Sequence, residues 1–580
     1  MEKFYIGLAN GIHDPAMAVV DSDGEVIYAE GTERPLQNKR AVGLTADLRE
    51  TVRRVIKEHC NPHAEFIVAK PLSQRVHRVL SVLNVLGATD HEQLPRRPAV
   101  MTKFLLEKNV LFAETWLAYT SICLSGGNIA DILRTEFGNG KVSYVKFDHH
   151  YAHAANASFT SPFDEAACMI VDGYGEGGSI SYFEYRKGRL RERYRVKGEE
   201  SLGFLYGVCT SFCGFNTEKG EEWKLMGLAP YGKLDPKILE AFRSLVKVDG
   251  LSIRYPSLRS VKAWFDQMKT FTREKKASPM DLADLAYTTQ DFYTEVMTKL
   301  LNNLYALRIS DNLTIGGGCA LNSSYNGQIV GLTSFKHLHV PCAPADDGNA
   351  LGAALLAYFQ DHPERKPRGV VQSPFLGASL SKRTIANLAR FGGIGKLHHL
   401  PGTIHRATAE LLAGGKLVGW VQGRAEFGPR ALGNRSILAD PRPVDMKDRI
   451  NALVKFREEF RPFAPSILDE FGDEYFENYQ VSPYMERTLT FKESVRQKIP
   501  AIVHVNRTGR LQSVRHEWNE RFYDLIYAFY ELTGVPLLLN TSFNIMGKPI
   551  IHSVEDAIGL FYTTGLDALA IEDYLIEKPS

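Results

Sequence analysis

The sequence lacks the features that direct a chain into a membrane or an oxidising compartment. It has no run of eighteen apolar residues, and it enters a strand-like segment at once, without a charged-then-apolar leader. Its seven cysteines are scattered and odd in number, and Cys209 and Cys213 are spaced as small hydrophobes on a buried helix face. We therefore expect a protein of the reducing cytoplasm, with neither export nor membrane insertion.

A surplus of positive charge is also absent. Lys and Arg (69) nearly balance Asp and Glu (67), so no general nucleic-acid surface is predicted, although a local basic pocket remains compatible with the total. The apolar fraction of 44% and the charged fraction of 23% are typical of a globular protein and do not suggest disorder. A chain of 580 residues is too long for one core, and we expect two or more domains.

One strand and turn pattern occurs twice. The first copy has apolar runs at 4–8, 16–20 and 25–29, with Asp23-Gly24 between the last two, which is typical of a β-hairpin. A similar unit occupies 167–172, 178–185 and 190–194. We interpret the repeat as an internal duplication like that of the actin-like and hexokinase-like folds, in which a nucleotide lies between two halves. This analogy implies no particular chemistry.

Further elements are predicted along the chain. They are helices at 45–59, 103–124, 278–306 and 404–413, and strands at 312–315 and 417–421. Ser278 is expected to be an N-cap, with Pro279 as the first helical residue. The polar, proline-bearing stretch 360–369 is the best candidate linker, and a second domain is expected from about Ser373.

A predicted Ala-rich helix carries two histidines four residues apart. Residues four apart share a helix face, so the rings of His149 and His153 can point at one position. Two imidazoles suit a borderline metal ion, and Asp172, at the end of a buried strand, would supply a third ligand. The alternative is a hydrogen-bonded histidine pair on a half-buried helix.

Glycine-rich turns mark places where a backbone can approach a nucleotide. Asp172 opens an Asp-Gly-x-Gly sequence ending at Gly175, and the strand at 312–315 runs into the glycines 316–318, with Asn322 as a polar reader. A tight turn explains the triplet equally well.

Two adjacent aspartates precede a second Ala-rich helix. At such a position an acidic residue is either a helix N-cap or, as we consider for Asp346, a fourth metal ligand. Asp347 stands beside it, so the choice between the two stays open.

Cationic motifs are concentrated in the second half. The segment 422–436 carries three arginines among small residues, and further basic positions follow at 455, 457, 461, 507 and 510, before the polar segment 540–544. Guanidinium groups grip phosphate oxygens through paired hydrogen bonds, so we predict a polyanion pocket. Since the net charge is only +2, a small phosphorylated compound suits it better than a nucleic acid. Ordinary surface pairs with Glu426, Glu458 and Glu459 are the competing interpretation.

Taken together, these motifs resemble the O-carbamoyltransferases of the NodU/CmcH family, which modify antibiotics and nodulation factors. The resemblance runs nearly end to end and rests on the segments 11–16, 33–34, 149–153, 172–173, 224–229, 316–322, 346, 427–436 and 540–544. The segments 427–436 and 540–544 are long and highly specific.

The resemblance implies two coupled sites in an α/β (α+β) protein. We expect a TsaD-like domain with the duplicated actin-like fold at 1–360, a linker at 361–372 and a YrdC-like α/β domain at 373–580. The second domain would form carbamoyl-adenylate from carbamoyl phosphate and ATP, releasing phosphate and pyrophosphate. The first would transfer the carbamoyl group to a hydroxyl of a small natural product, such as an antibiotic, a saxitoxin-type alkaloid or a glycolipid.

The resemblance also implies roles for individual residues. Carbamoyl phosphate and the ATP phosphates are expected at Arg430, Lys455, Arg457, Arg510, Ser542 and Asn544. The adenylate is expected at Gly175, Lys224, Gly316, Gly317 and Asn322. A divalent metal, iron by family analogy and distinct from the Mg²⁺ that accompanies ATP, is expected at His149, His153, Asp172 and Asp346.

Two N-terminal residues complete the expected site. His13 is predicted to be the base that takes the proton of the acceptor hydroxyl, since an imidazole titrates near pH ~6.5. The alternative is a turn histidine packed beside Asp14 and Pro15. Lys39 matches a family lysine and is expected to contact phosphate.

Trp223 departs from the family, which more often has glycine there, so we expect a differently shaped pocket nearby. The segment 73–135 is least like the family motifs and is predicted to select the acceptor.

The expected partner is a small-molecule hydroxyl acceptor, with no nucleic acid and no membrane; a homodimer is considered. Rival interpretations are a tRNA threonylcarbamoylation enzyme, an actin-like small-molecule kinase and a non-catalytic metal scaffold.

Overall fold

The computed structural model describes residues 2–11, 13–72, 124–197, 200–272, 278–391 and 396–578. The helix predicted at 103–124 lies outside these residues except for its last position, as does most of the 73–135 segment. Within the described ranges, no helix combines the length and apolarity that crossing a bilayer requires. Cys209 and Cys213 are fully buried, as predicted.

The first sheet contains five strands of the N-terminal region. They are β1 Lys3–Ala9, β2 Ala16–Val20, β3 Val26–Gly31, β4 Glu65–Lys70 and β5 Val142–Lys146. Their order is β3-β2-β1-β4-β5, with β1 to β3 antiparallel and with β4 and β5 added in parallel. Gly24, with φ +86°, supplies the left-handed residue of the predicted β2–β3 turn.

A second sheet repeats this arrangement. The next strands are β6 Glu165–Gly175, β7 Gly178–Arg186, β8 Arg189–Lys197, β9 Lys247–Asp249, β10 Ser252–Arg254, β11 Asn312–Gly316 and β12 His337–His339. β9 and β10 form a separate hairpin, and the other five have the order β12-β11-β6-β7-β8. Here too three antiparallel strands are followed by two parallel additions. This shared topology confirms the predicted duplication and the actin-like architecture.

The C-terminal part forms one nine-stranded sheet. Its strands are β13 Lys396–His399, β14 Val418–Val421, β15 Arg435–Ala439, β16 Ala464–Leu468, β17 Arg487–Thr490, β18 Thr508–Val514, β19 Leu537–Ser542, β20 Ala568–Ile571 and β21 Tyr574–Glu577. The order is β13-β21-β20-β14-β15-β19-β16-β18-β17. A large apolar cluster that includes Trp420 and Phe543 covers it. The YrdC-like assignment and the domain limits remain predictions.

Helices alternate with these strands. In the N-terminal part they cover Glu33–Leu36, Arg49–His59, Gly127–Phe137, His149–Phe159, Leu202–Phe212, Glu222–Leu228, Pro236–Leu245, Leu258–Met268, Ala283–Tyr305, Ser323–Asn326, Ile329–Leu332 and Gly348–Asp361. In the C-terminal part they cover Lys382–Phe391, Ile404–Ala413, Met446–Ile450, Gly472–Tyr475, Glu493–Arg496, Glu520–Thr533 and Val554–Thr563.

Most predicted helix limits agree with the structure. Ser278 forms a capping box at the 3₁₀ turn Pro279–Leu282, from which the long α-helix continues. The helix at 404–413 is as predicted, whereas the one predicted from residue 45 begins at Arg49. The helix at 382–391 was not predicted.

Two Ala-rich helices pack closely between the first two sheets. The Gly348–Asp361 helix lies on β1 and β2, and the His149–Phe159 helix lies on β6 and β11. A Cβ added to Gly352 would lie 1.9 Å from the carbonyl oxygen of Ala152 on the other helix. No side chain fits at that distance, so Gly352 sets the spacing of the helix that carries both histidines.

Gly352→Ala is expected to lower the free energy of unfolding by about 1–3 kcal/mol, because the added methyl group forces the two helices apart. Gly331→Ala is the matched control, since a Cβ at that helical glycine meets nothing within 4 Å. Urea unfolding followed by circular dichroism measures both. Equal stability of the two variants would contradict this account of the packing.

Candidate active site

Four side chains that the sequence assigned to a metal converge in the structure. His149 and His153 lie one turn apart on one helix, Asp172 lies on β6, and Asp346 lies in the loop before the next Ala-rich helix. One ligand atom from each lies within 4.8 Å of all the others. The alternative of a histidine pair alone is therefore incomplete, because two carboxylates share the same space.

The distances in this cluster match those around one ion. The Nε2 atom of His149 lies 3.2 Å from Asp172 Oδ2 and 3.5 Å from Asp346 Oδ1, and the corresponding distances from His153 Nε2 are 3.5 and 3.3 Å. Ligand atoms bound at about 2.0–2.2 Å to one ion lie roughly 2.8–3.6 Å apart. Imidazole and carboxylate donors suit divalent zinc or iron. The residues therefore fit a resident divalent ion, whose identity stays a prediction.

The pKa shifts of the histidines and aspartates in the cluster also agree with a site for a divalent ion. Burial would lower the pKa of His149, but Asp346 and Asp172 raise it well above its ordinary value. Burial would raise the pKa of Asp172, but hydrogen bonds from His149 and His153 hold it well below its ordinary value. Without an ion, the carboxylates thus favour protonated imidazoles. A divalent ion would replace two protons without changing the total charge.

Asp346 and Asp347 differ in their surroundings. Asp346 belongs to the ligand set, whereas Asp347 Oδ1 accepts a hydrogen bond from Gly348 N at 3.0 Å. Burial, together with Asp14 and Glu33, raises the pKa of Asp347 to about 7. The structure thus brings Asp346 and not Asp347 to the cluster.

His13 lies beside this cluster. Its Nδ1 is 2.8 Å from Asp14 Oδ2 and 3.9 Å from Asp346 Oδ2, and Arg40 Nε donates to Asp14 Oδ2 at 3.3 Å. Burial would lower the pKa of His13, but Asp14 and Asp346 raise it. An imidazole oriented by a carboxylate through Nδ1 leaves Nε2 to exchange a proton with a ligand, as a base requires.

The predicted glycine turns border the metal cluster. Gly316 ends β11, and Gly317 follows with φ +87° and with no room for a Cβ, which would lie 2.3 Å from Val171 O. A Cβ on Gly175 would lie 3.0 Å from His149 Cδ2. Both turns therefore hold their backbone in close contact with the elements that carry the candidate ligands.

Asn322, predicted to read the adenosine, is engaged within the protein. Its amide nitrogen donates to Gln290 Oε1 at 3.0 Å, and its oxygen accepts from Gln290 Nε2 at 3.3 Å and from Tyr325 N at 3.1 Å. Its role toward adenosine stays a prediction.

Two of the three arginines in 422–436 have structural roles. Arg435 is fully buried and donates to carbonyl oxygens that include Gln422 O at 2.7 Å. Arg424 donates to Ile27 O at 2.9 Å. Glu426 accepts from backbone amides, among them Leu432 N at 2.8 Å, so the alternative of an arginine pair with Glu426 does not hold. In this segment, the predicted contact with phosphate narrows to Arg430.

Three predicted phosphate-site residues meet at the end of β19. Lys455 Nζ donates to Asn544 Oδ1 at 2.7 Å and to Ser542 Oγ at 3.3 Å. Lys455 is only 3% exposed, although its partners here are neutral. The amine is therefore held in place without a carboxylate to balance its charge.

Further cations crowd around Lys455, and we call the whole set the cation pocket. Its members are Lys39, Arg430, Lys455, Arg457, Arg461 and Arg510. Burial, followed by Arg457, Arg461 and Lys39, lowers the pKa of Lys455 well below its ordinary value. Burial, followed by Arg430, Arg457 and Arg461, does the same for Arg510. Such mutual repulsion is the property expected of the predicted polyanion pocket, whose ligand stays a prediction.

Compensation within the pocket is sparse. In the described part of the chain, the side chains of Arg430 and Arg510 form no hydrogen bond or ion pair with a protein group, and Arg510 Nε is buried without a partner. Arg457 Nε donates to the neutral Asn451 at 3.0 Å. Arg461 lies 3.4 Å from Glu458, which is its nearest carboxylate.

Lys224 is placed differently from the other cations. Its Nζ lies 2.8 Å from both Glu221 and Glu458, so two carboxylates balance its charge. Arg461, in contrast, belongs to the cation pocket, which agrees with its place among the basic positions from which a polyanion pocket was predicted. No individual role was predicted for it.

Two family models together match most of the chain. Residues 5–355 match the family model Carbamoyltransferase N-terminus, and residues 409–578 match Carbamoyltransferase C-terminus. The chain is 37% identical to the nodulation protein NolNO of Sinorhizobium fredii, covering 78% of this chain and 66% of that protein. It is 34% identical to the nodulation protein NolO of Bradyrhizobium diazoefficiens, covering 74% and 79%. It is also 36% identical to an uncharacterized protein of Synechocystis, covering 74% and 76%.

Asp346→Asn is expected to weaken the binding of Zn²⁺ or Fe²⁺ by at least about 10- to 100-fold, because it removes a charged ligand. Asp347→Asn is the matched control and is expected to keep the affinity. Isothermal titration calorimetry, anaerobic for Fe²⁺, measures both. A similar loss of metal affinity in both variants would contradict the ligand set.

The metal affinity of the unmodified chain should also fall as the pH is lowered, since His149, with its raised pKa, must lose a proton when the ion binds.

Proposed function

The chain belongs to the carbamoyltransferase family and is a carbamoyltransferase enzyme, and we propose that it carries out ATP-dependent O-carbamoylation of a small hydroxylated molecule. In the first step, water cleaves carbamoyl phosphate into carbamate and inorganic phosphate, and a carbamate oxygen then attacks the α-phosphorus of ATP, whose bond to the departing pyrophosphate breaks. In the second, an acceptor hydroxyl attacks the carbamoyl carbon of the adenylate, and AMP leaves. The single observation that carries the proposal is the cation pocket, which has few carboxylates to balance it.

The cation pocket suits the first step. Carbamoyl phosphate and the ATP phosphates together bring several negative charges. Further negative charge develops on the oxygens of the α-phosphate during the attack. The guanidinium groups of Arg430 and Arg510 supply positive charge without having to break ion pairs inside the protein, and neutral partners hold Lys455 in place. Preorganised charge of this kind stabilises a transition state more effectively than groups that must reorient.

The His13 region suits the second step. The acceptor hydroxyl must lose a proton as it attacks, and His13 is oriented for this by Asp14 at 2.8 Å. The turns at Gly175 and Gly317, where the adenylate is expected, pack directly against the elements that carry the candidate ligands. A divalent ion at this cluster would supply Lewis-acid stabilisation of the phosphate oxygens of AMP.

Arg510→Gln is expected to reduce carbamoyl-phosphate-dependent pyrophosphate release by about 100-fold or more, as for other groups that stabilise developing charge. It is also expected to raise the melting temperature of the ligand-free protein, because removing one of the buried cations relieves part of the repulsion. A coupled pyrophosphate assay and differential scanning calorimetry measure these effects.

Arg442→Gln is the matched control for this variant, because Arg442 forms an ion pair with Asp440 at 2.6 Å and lies outside the cation pocket. It is expected to spare pyrophosphate release and not to raise the melting temperature. ADP formation by the unmodified enzyme would indicate a kinase instead. A metal-loaded, folded enzyme that releases no pyrophosphate with carbamoyl phosphate present would refute the proposal.

His13→Asn is expected to leave pyrophosphate release intact and to slow transfer by about 100-fold or more, since a general base contributes roughly 10²–10⁴ in rate. His516→Asn, at an exposed histidine, is the control. Mass spectrometry of a panel of hydroxylated compounds, followed over time, detects the carbamoyl mass increase. Unchanged transfer by His13→Asn would show that another group is the base.

A further inference from the structure

Trp223 lies where cations of both parts of the chain meet. It is the second residue of the Glu222–Leu228 helix, and its ring centroid is 3.9 Å from Arg461 Cζ and 5.8 Å from Lys39 Nζ. Lys39 comes from the first forty residues and Arg461 from the C-terminal part. The face of an indole ring carries negative potential and attracts cations within about 6 Å. One neutral side chain therefore contacts two members of the cation pocket.

Core packing does not account for this tryptophan. Within the described residues, Trp223 belongs to none of the four apolar clusters, whereas Trp264 and Trp420 each belong to one. The ring also lies 5.7 Å from Lys224 Nζ, but Lys224 already has Glu221 and Glu458 as partners. The cations for which the ring matters most are those with less compensation.

Arg461 and Lys39 are such cations. Arg461 Nε is buried without a hydrogen-bond partner, and Glu458, its nearest carboxylate, is shared with Lys224. In the described part of the chain, Lys39 forms no ion pair, although Glu33 and Glu221 favour its charged form from a greater distance. Two like charges repel each other in a partly dehydrated site, and a group that attracts both offsets part of this repulsion. The electron-rich face of Trp223 has this property.

We infer that Trp223 is a positioning residue of the cation pocket, whose ring holds Arg461 and Lys39 together so that both reach one phosphate-bearing anion. The inference deepens the proposed function and rests on it for the identity of that anion. Trp223 acts through the two cations and need not touch the anion. Pyrophosphate, which carries the charge of the proposed leaving group, is a suitable probe.

Binding of inorganic pyrophosphate to the full chain is measured by isothermal titration calorimetry for Trp223→Leu and Trp223→Phe. The loss of a cation–π contact is expected to weaken binding by about 2- to 30-fold in Trp223→Leu. Trp223→Phe retains an aromatic face and is expected to recover most of the affinity. Trp518→Leu is the matched control, because Arg515 stacks on Trp518 at 4.6 Å outside the cation pocket. It is expected to bind like the unmodified chain.

A double-mutant cycle tests whether Trp223 acts through Arg461. In an Arg461→Gln background, Trp223→Leu is expected to have much less effect than in the unmodified chain, because the main cation that the ring holds is gone. Should Trp223→Leu not fold, Trp223→Phe runs the same cycle with a smaller effect of the same sign. Circular dichroism and the melting temperature establish folding for each variant.

Three results would overturn the inference. They are unchanged affinity in Trp223→Leu, equal weakness of the Phe and Leu variants, and additive effects with Arg461→Gln. Failure of the unmodified chain to bind pyrophosphate would overturn it as well. If binding depends on Trp223 but carbamoyl phosphate elicits no pyrophosphate release, the proposed reaction is refuted and the positioning role stands.

Discussion

Repulsion among buried cations is the constraint on which the C-terminal site depends. Lys455 is almost fully buried, and Arg457, Arg461 and Lys39 all oppose its charged state. In the unfolded chain these groups lie far apart in water, so folding without a ligand concentrates them at a cost. The broad apolar core on the nine-stranded sheet supplies the compensating stability. The proposed polyanion would remove this repulsion, and the same positive charges that oppose one another would then attract the ligand.

The metal cluster brings together negative charges instead of positive ones. Two carboxylates would repel each other at this spacing, and the imidazoles of His149 and His153 offset this repulsion through close contacts with both. The approach of these elements requires small residues, since Gly352 lets one Ala-rich helix contact the other at backbone distance. Because Asp346 belongs to the ligand set and also lies 3.9 Å from His13, the candidate ion site and the candidate base are close neighbours. Helix packing thus determines the geometry of the chemistry.

The sequence predicted those parts of the structure that local patterns encode. Both hairpin units, the capped helix after Ser278 and the His149–His153 spacing depend on neighbouring residues, and the structure agrees with them. The roles of the arginines were harder to predict. Arg430 and Arg435 stand five residues apart among similar neighbours. The side chain of Arg435 nevertheless donates its hydrogen bonds to buried carbonyl oxygens, whereas that of Arg430 has no hydrogen-bond partner in the described part of the chain. That difference follows from long-range packing, which no local pattern records.

The two sites share more than a polypeptide. Lys224 of the N-terminal part pairs with Glu458 of the C-terminal part, and Glu458 also lies 3.4 Å from Arg461. Residues that are proposed to bind the anion therefore belong to the contact between the parts. An anion that drew Arg461 and Lys39 together would strengthen that contact, and by linkage a firmer contact would strengthen anion binding. Water hydrolyses a carbamoyl-adenylate. If anion binding in the first step strengthened the contact between the two parts, that contact would shield the intermediate from water until an acceptor hydroxyl reached it.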